Sequence, residues 1–300
     1  MGAQNQKKER IFNRVPAFAG EDAGAFAGRN GAELRVYKNV RRADAEACLK
    51  TLYAAGFTPL QVREPNGNLF AALQKDTLRV NLFFAPCDGE LRVTACENEQ
   101  TPRLTSTACE GPAGTVFYAF ENDQTLIDCG MCLLLQCPDS SFFVVDSGHY
   151  FQFNDNDRLH KFMRERTPDG QKIVINGWLI THSHTDHVAK LMDFLRYNCD
   201  DVVIEGFYWN LPPDDYDLPC WDREERAFNA QLRRVLNGLA DIPKYKVQAG
   251  QRFYLRNLCF DVLCTHEDVY PQKIEDFNDT SVVVAVEVDR LPCPVPGCAL

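Results

Sequence analysis

The sequence predicts an α/β layered domain preceded by a small α+β domain. Three observations carry that expectation. From residue 115 strand-like runs follow one another quickly, and the middle ones are apolar along almost their whole length. Such runs suit strands buried on both faces. Amphipathic helical patterns then alternate with further strands, the order expected of a layered α/β domain. Ahead of them lies a strand, a helix and three more strands, closed off by a polar segment containing Pro and Gly.

Residues 1–30 are rich in Ala and Gly around "AFAGEDAGAFAGRNG" and read as an extended lead-in. Residues 31–96 read as the small α+β domain. "ELRVYKN" alternates as a strand. "ADAEACLKTLYAAGF" carries Ala45, Cys48, Leu49 and Leu52 at helical spacing and stops at Gly56. "NLFAALQK", "LRVNLFFA" and "ELRVTAC" follow, separated by turn signals at "PNGN" and "CDGE". The unit holds no cluster of catalytic residue types. Residues 97–114 read as a linker, and 115–300 as the second domain.

In that second domain "TVFYAF", "MCLLLQC", "SFFVVDSG" and "KIVINGWLIT" are the expected strands. "DRLHKFMRER", "DHVAKLMDFLRYN" and "DREERAFNAQLRRVLNGLA" are the expected helices, each with an apolar stripe. "QRFYLRN", "LCFDVLC" and "SVVVAVEV" are strands again.

The chain has 300 residues, 45% of them hydrophobic and 25% charged, which is enough to bury a sizeable core. Its net charge of −10 argues against extended nucleic-acid binding and against anionic membranes. The start lacks an apolar signal segment. No apolar run approaches the roughly 18 residues of a membrane span. The expectation is a cytoplasmic protein with no membrane partner. Thirteen cysteines are then best read as small buried apolar residues. Cys129 and Cys132 form a C-x-x-C with no second pair at zinc-ribbon spacing, so packing is expected there, with a metal or redox role as the alternative.

The chemistry concentrates in "WLITHSHTDHVAKL". Three of the six histidines and one aspartate stand within six positions, at His182, His184, Asp186 and His187. The segment reads as the end of a buried strand, a short loop and a helix start, a place where sites are built. Neutral imidazoles suit zinc and other first-row ions, and a carboxylate adds charge. Two histidines two residues apart can converge on one ion where the backbone is extended.

The order H-x-H-x-D-H after an apolar strand resembles the signature of the metallo-β-lactamase-fold hydrolases, matched at His182, His184, Asp186 and His187. The resemblance implies an αββα sandwich. It implies that His182 and His184 hold a first metal ion and that Asp186 and His187 serve a second. Asp186 would also orient or deprotonate the attacking water. The earlier "FFVVDSGHY" matches the family's Asp-x-Gly strand end, which implies that Asp146 supports the histidine loop from beneath. Later, Asn278, Asp279, Thr280 and Ser281 match an N-D-x-S element, similar to the branch that includes the hydrolase domain of competence DNA-uptake proteins. The resemblance covers roughly residues 115–288.

The ion implied is Zn(2+), one or two, with manganese or iron as alternatives. The reaction implied is hydrolysis by a metal-activated water. The substrate expected is a small-molecule or nucleotide-type ester, a phosphoester first, with thioester and amide also within the superfamily. His266 follows a strand and is either a third ligand or a loop histidine. His149 reads as a turn residue and His160 as a solvated one. The Gly-Asp that the family places after the long apolar strand is missing, and Asp289 stands in a different context. The expectation is a domain truncated in its C-terminal half, or a naturally short member. The competing functional expectation is a non-catalytic metal-binding or interaction protein on the same scaffold.

Overall fold

The computed structural model describes residues 10–111, 114–127, 129–213 and 223–288. The chain forms two units, residues 1–99 with 270–272, and residues 100–269 with 273–300.

The first unit comprises β1 (Glu21–Ala27), β2 (Glu33–Lys38), α1 (Arg42–Ala54), β3 (Thr58–Arg63), β4 (Leu69–Lys75), β5 (Leu78–Ala85) and β6 (Glu90–Glu97). The six strands make one antiparallel sheet in the order β1-β2-β6-β5-β4-β3. Helix α1 begins where Asp44 reaches back to the Arg41 backbone N–H, a capping box. It closes at Gly56, whose φ of 89° only glycine adopts freely. Its Ala45, Cys48 and Leu52 are buried with Val80, Leu82, Leu91 and Val93 of the sheet. Two strands differ from the sequence expectation. β1 lies within the Ala/Gly-rich lead-in, its pattern blurred by a register shift between Asp22 and Gly24. β3 contains Pro59, which a sheet edge tolerates because no neighbour needs its N–H.

The second unit begins with β7 (Val116–Ala119), β8 (Cys132–Gln136), β9 (Phe142–Asp146), α2 (Asp155–Arg164), β10 (Ile173–Leu179) and α3 (Thr185–Tyr197). β11 (Val202–Ile204), β12 (Phe207–Trp209), α4 (Arg223–Gly238) and β13 (Lys244–Lys246) follow. The seven strands form a mixed sheet in the order β13-β12-β10-β9-β8-β7, with β11 also paired to β10. β9, β10, β11, β12 and β13 run parallel, while β7 and β8 are antiparallel to their neighbours. β14 (Arg252–Leu255), β15 (Leu258–Cys264) and β16 (Val283–Val288) make a separate antiparallel sheet.

The mixed sheet is buried on both faces because successive apolar residues face opposite cores. Leu134, Phe142 and Trp178 pack with Leu159 and Met163 of α2, Leu191 and Phe194 of α3, and Leu232 and Leu236 of α4. Leu135, Phe143, Leu179 and Tyr208 face the small sheet, packing with Phe253, Phe260 and Val262. The unit is therefore a mixed α/β structure with helices on one face of its central sheet and a second sheet on the other. Gly177 lies where the sheets come together, since a Cβ there would stand 2.7 Å from Leu255 Cδ1 and 2.9 Å from the Phe143 ring. The short strands β11, β12 and β13 go unmarked in the sequence, having three residues each. Asp289 and the Pro/Cys-rich tail lie outside the described residues. Among the described residues no helix is long and apolar enough to cross a membrane.

Candidate metal centre

Parallel pairing brings the carboxyl ends of β9, β10 and β12 to one edge of the mixed sheet. Asp146 closes β9, Thr181 and His182 follow β10, and Asn210 follows β12. The chain then turns at His184, the N-cap of α3.

Asp146 is fully buried and holds φ at 56°, a left-handed conformation an aspartate tolerates better than most residues. Its Oδ1 accepts the Thr181 backbone N–H at 2.9 Å. Its Oδ2 accepts the Thr181 hydroxyl at 2.7 Å and His187 Nδ1–H at 2.8 Å. Its carbonyl accepts the Trp178 indole N–H at 3.0 Å. One carboxylate thus ties together the strand end, the loop and the first turn of α3.

The same network fixes the histidine tautomers. The Thr181 hydroxyl gives its proton to Asp146, so its oxygen accepts from His182 Nδ1–H, 3.0 Å away. The free lone pair of His182 is therefore on Nε2, and it faces His184 Nδ1 at 3.1 Å. His187 spends its Nδ1–H on Asp146, leaving Nε2 3.6 Å from Asp186 Oδ2. The rings of His182 and His187 lie 4.1 Å apart between centroids.

The electrostatics follow from burial and neighbours. Burial, reinforced by His187 and His184, pushes His182 down to about 3, so it is a neutral imidazole at ordinary pH. For His187 burial pulls downward, but the hydrogen bond and charge of Asp146, with Asp186 behind them, prevail and raise it. Complete burial raises the Asp146 carboxyl despite its three donors. Both shifts favour a proton held between His187 Nδ1 and Asp146 Oδ2.

The structure brings His182, His184, Asp186, His187 and Asp146 together. It also brings three residues that the sequence reading passes over. Asp276 Oδ1 lies 3.9 Å from His184 Nε2, and the Phe277 ring packs tilted against the His184 ring, 4.7 Å between centroids. Both belong to the turn around "EDFNDT", where Asp276 caps a short 3-10 helix by accepting the Asn278 N–H at 2.8 Å. The D-x-x-D spacing of that capping box was the available signal. Asn278, Asp279, Thr280 and Ser281 lie in the same turn. Thr181, the other omission, is the residue directly before the first histidine.

His266 is buried in the short helix after β15. Its Nδ1–H donates to the Asn210 carbonyl at 2.9 Å, which leaves the lone pair on Nε2. Burial pushes it down to about 4. Beside it Glu267 pairs with Lys246 at 2.5 Å and accepts from the Asn210 amide at 3.1 Å. His149 is buried three residues beyond Asp146, and its Nδ1 accepts the Phe151 N–H at 3.1 Å. His160, expected to be merely solvated, pairs with Asp201 at 2.7 Å. Neither Cys129 nor Cys132 is in a disulfide, and burial in β8 raises Cys132 far above the usual thiol range.

The donor chemistry fits a first-row transition metal: imidazole nitrogens backed by carboxylates. The donors stand as two pairs, His182 with His184 and Asp186 with His187. Among the described residues no group of three or more His, Cys, Asp or Glu side chains is arranged to hold a metal ion.

No family model matches the chain. No curated protein matches it in sequence. Among solved structures, one similar chain is the crystal structure of the metallo-beta-lactamase fold protein YhfI from Bacillus subtilis, with 14% sequence identity and a TM-score of 0.32. The match covers 61% of this chain and 57% of that one. The likeness is distant, and the functional reading of the site rests on its own residues.

Proposed function

We propose that the second unit is a metallo-β-lactamase-type αββα domain and that the chain is a metal-dependent hydrolase acting on an ester, a phosphoester first among them. The observation that supports this most is the facing pair His182 Nε2 and His184 Nδ1, 3.1 Å apart, held by a tautomer-fixing relay that ends on buried Asp146. His182, His184, Asp186 and His187 would hold a zinc ion, or manganese or iron, with His266 as a further ligand. When bound, such an ion acts as a Lewis acid and lowers the pKa of a water toward 7. Asp186, partly exposed beside His187, takes the proton of the attacking water. Asp146 keeps His187 oriented through the exchange.

Metal content measured by mass spectrometry and phosphodiester turnover test the reading. His182→Ala should lose bound metal and turnover together. Asp186→Ala should lower kcat about a hundredfold or more, the worth of a positioned proton acceptor. Turnover that survives both substitutions overturns the reading.

One observation favours a second reading. The donors stand in pairs with no group of three arranged for an ion among the described residues. A metal-binding or interaction protein on a non-catalytic scaffold fits that arrangement. It predicts metal uptake without turnover on any ester.

A further inference from the structure

The segment immediately after Asp146, "SGHYFQF", exposes three large aromatic side chains in four positions. Tyr150 is 41% exposed, Phe151 42% and Phe153 63%. Aromatic rings in contact with water carry a hydrophobic cost, and a rigid loop that shows several together marks a binding surface. This loop is rigidly built. Gln152 is wholly buried. Its side-chain oxygen accepts the His149 N–H at 2.7 Å, its side-chain amide donates to the Cys129 carbonyl, and its own N–H returns to His149 O at 3.0 Å. Gly148 makes room for it: with φ at 108°, a Cβ there would stand 2.7 Å from Gln152 Oε1.

The loop is also fastened to the histidine corner. Ser147 Oγ donates to the His187 carbonyl at 2.8 Å and accepts the Leu191 N–H at 2.9 Å. Gly148 O accepts the Lys190 N–H at 3.2 Å. The rings then lead outward. Tyr150 packs 4.1 Å from His149, and Phe151 packs 4.3 Å from Tyr150.

We propose that Tyr150, Phe151 and Phe153 form a platform for a planar aromatic group of the substrate, whose scissile bond lies at the histidine corner. This rests on the hydrolase reading and names its substrate class. Area favours a small ligand over a second copy of the chain. At ~200 Å² for a whole aromatic side chain, the three expose roughly 300 Å². A stable interface needs about 800 Å² per partner.

The test uses the full chain loaded with zinc and two inert probes, 1-naphthylphosphonate and methylphosphonate, titrated calorimetrically. The naphthyl probe should bind about tenfold tighter, the worth of one stacked ring. Phe151→Ser with Phe153→Ser should erase that preference and leave methylphosphonate binding unchanged. Tyr150→Ser is the independent second variant and should reduce the preference. Equal affinity for the two probes overturns the proposal, as does a preference that survives the double substitution. So does a wild-type dimer in solution that the double variant converts to monomer. Metal uptake is measured separately. Uptake without naphthyl preference sinks the platform alone, whereas a chain that takes up no metal sinks the hydrolase reading and the platform with it.

Discussion

His187 Nδ1 donates to Asp146 Oδ2 across 2.8 Å, joining the first turn of α3 to the end of a strand 41 positions earlier. Asp146→Asn removes the charged acceptor and presents an amide to a ring N–H. Zinc affinity, measured by chelator competition, should fall about 10–100-fold, the usual effect of losing a ligand's supporting partner. Thr181→Val breaks the relay to His182 while keeping the side chain's shape. It should weaken zinc binding in the same direction.

Gly177→Ala places a methyl group between the two sheets of the second unit, against Leu255 and Phe143. Overpacking there should cost about 1–3 kcal/mol. A lowered urea midpoint with an unchanged slope is the expected result.

His266 titrates at about 4 in the fold, against 6.5 when free. The unfolded chain therefore takes up this proton first as pH falls. Stability from His266 is fully present above pH 6.5 and is lost progressively down to about pH 4. The loss is about 3 kcal/mol at 1.36 kcal/mol per unit. Urea melts of metal-free protein at pH 7 and pH 4.5 should show the difference, and His266→Asn should shrink it.

Lys246→Met leaves the buried Glu267 carboxylate without its cation. Removing one partner of a buried pair costs about 3–5 kcal/mol. Adding Glu267→Gln should restore most of the loss, read as a double-mutant cycle by thermal melts.

Long, strongly patterned elements were legible in the sequence. Leu134 and Leu135, or Phe142 and Phe143, mark a strand covered on both sides because each neighbour faces a different core. β12 and β13 were not legible, since three residues carry no period, and what holds them is pairing to β10 and to each other. The histidine corner was legible because its members are sequence neighbours. Asp276 was not, because it reaches His184 only through the fold, from 92 positions downstream. The aromatic residues of the loop belong to no motif, and only their exposure just after Asp146 gives them meaning.

β10 has parallel neighbours on both sides, and pairing continues past its end, where Ile180 N–H donates to Tyr208 O at 2.9 Å. Amides so enclosed open last when a protein breathes, so their deuterium uptake tracks global unfolding and is blind to local fraying. His182 is two residues beyond Ile180. The candidate ligands are thereby attached to the segment that should exchange slowest in the unit, and partial openings at its edges should release α4 or the small sheet before they disturb the spacing of the histidines.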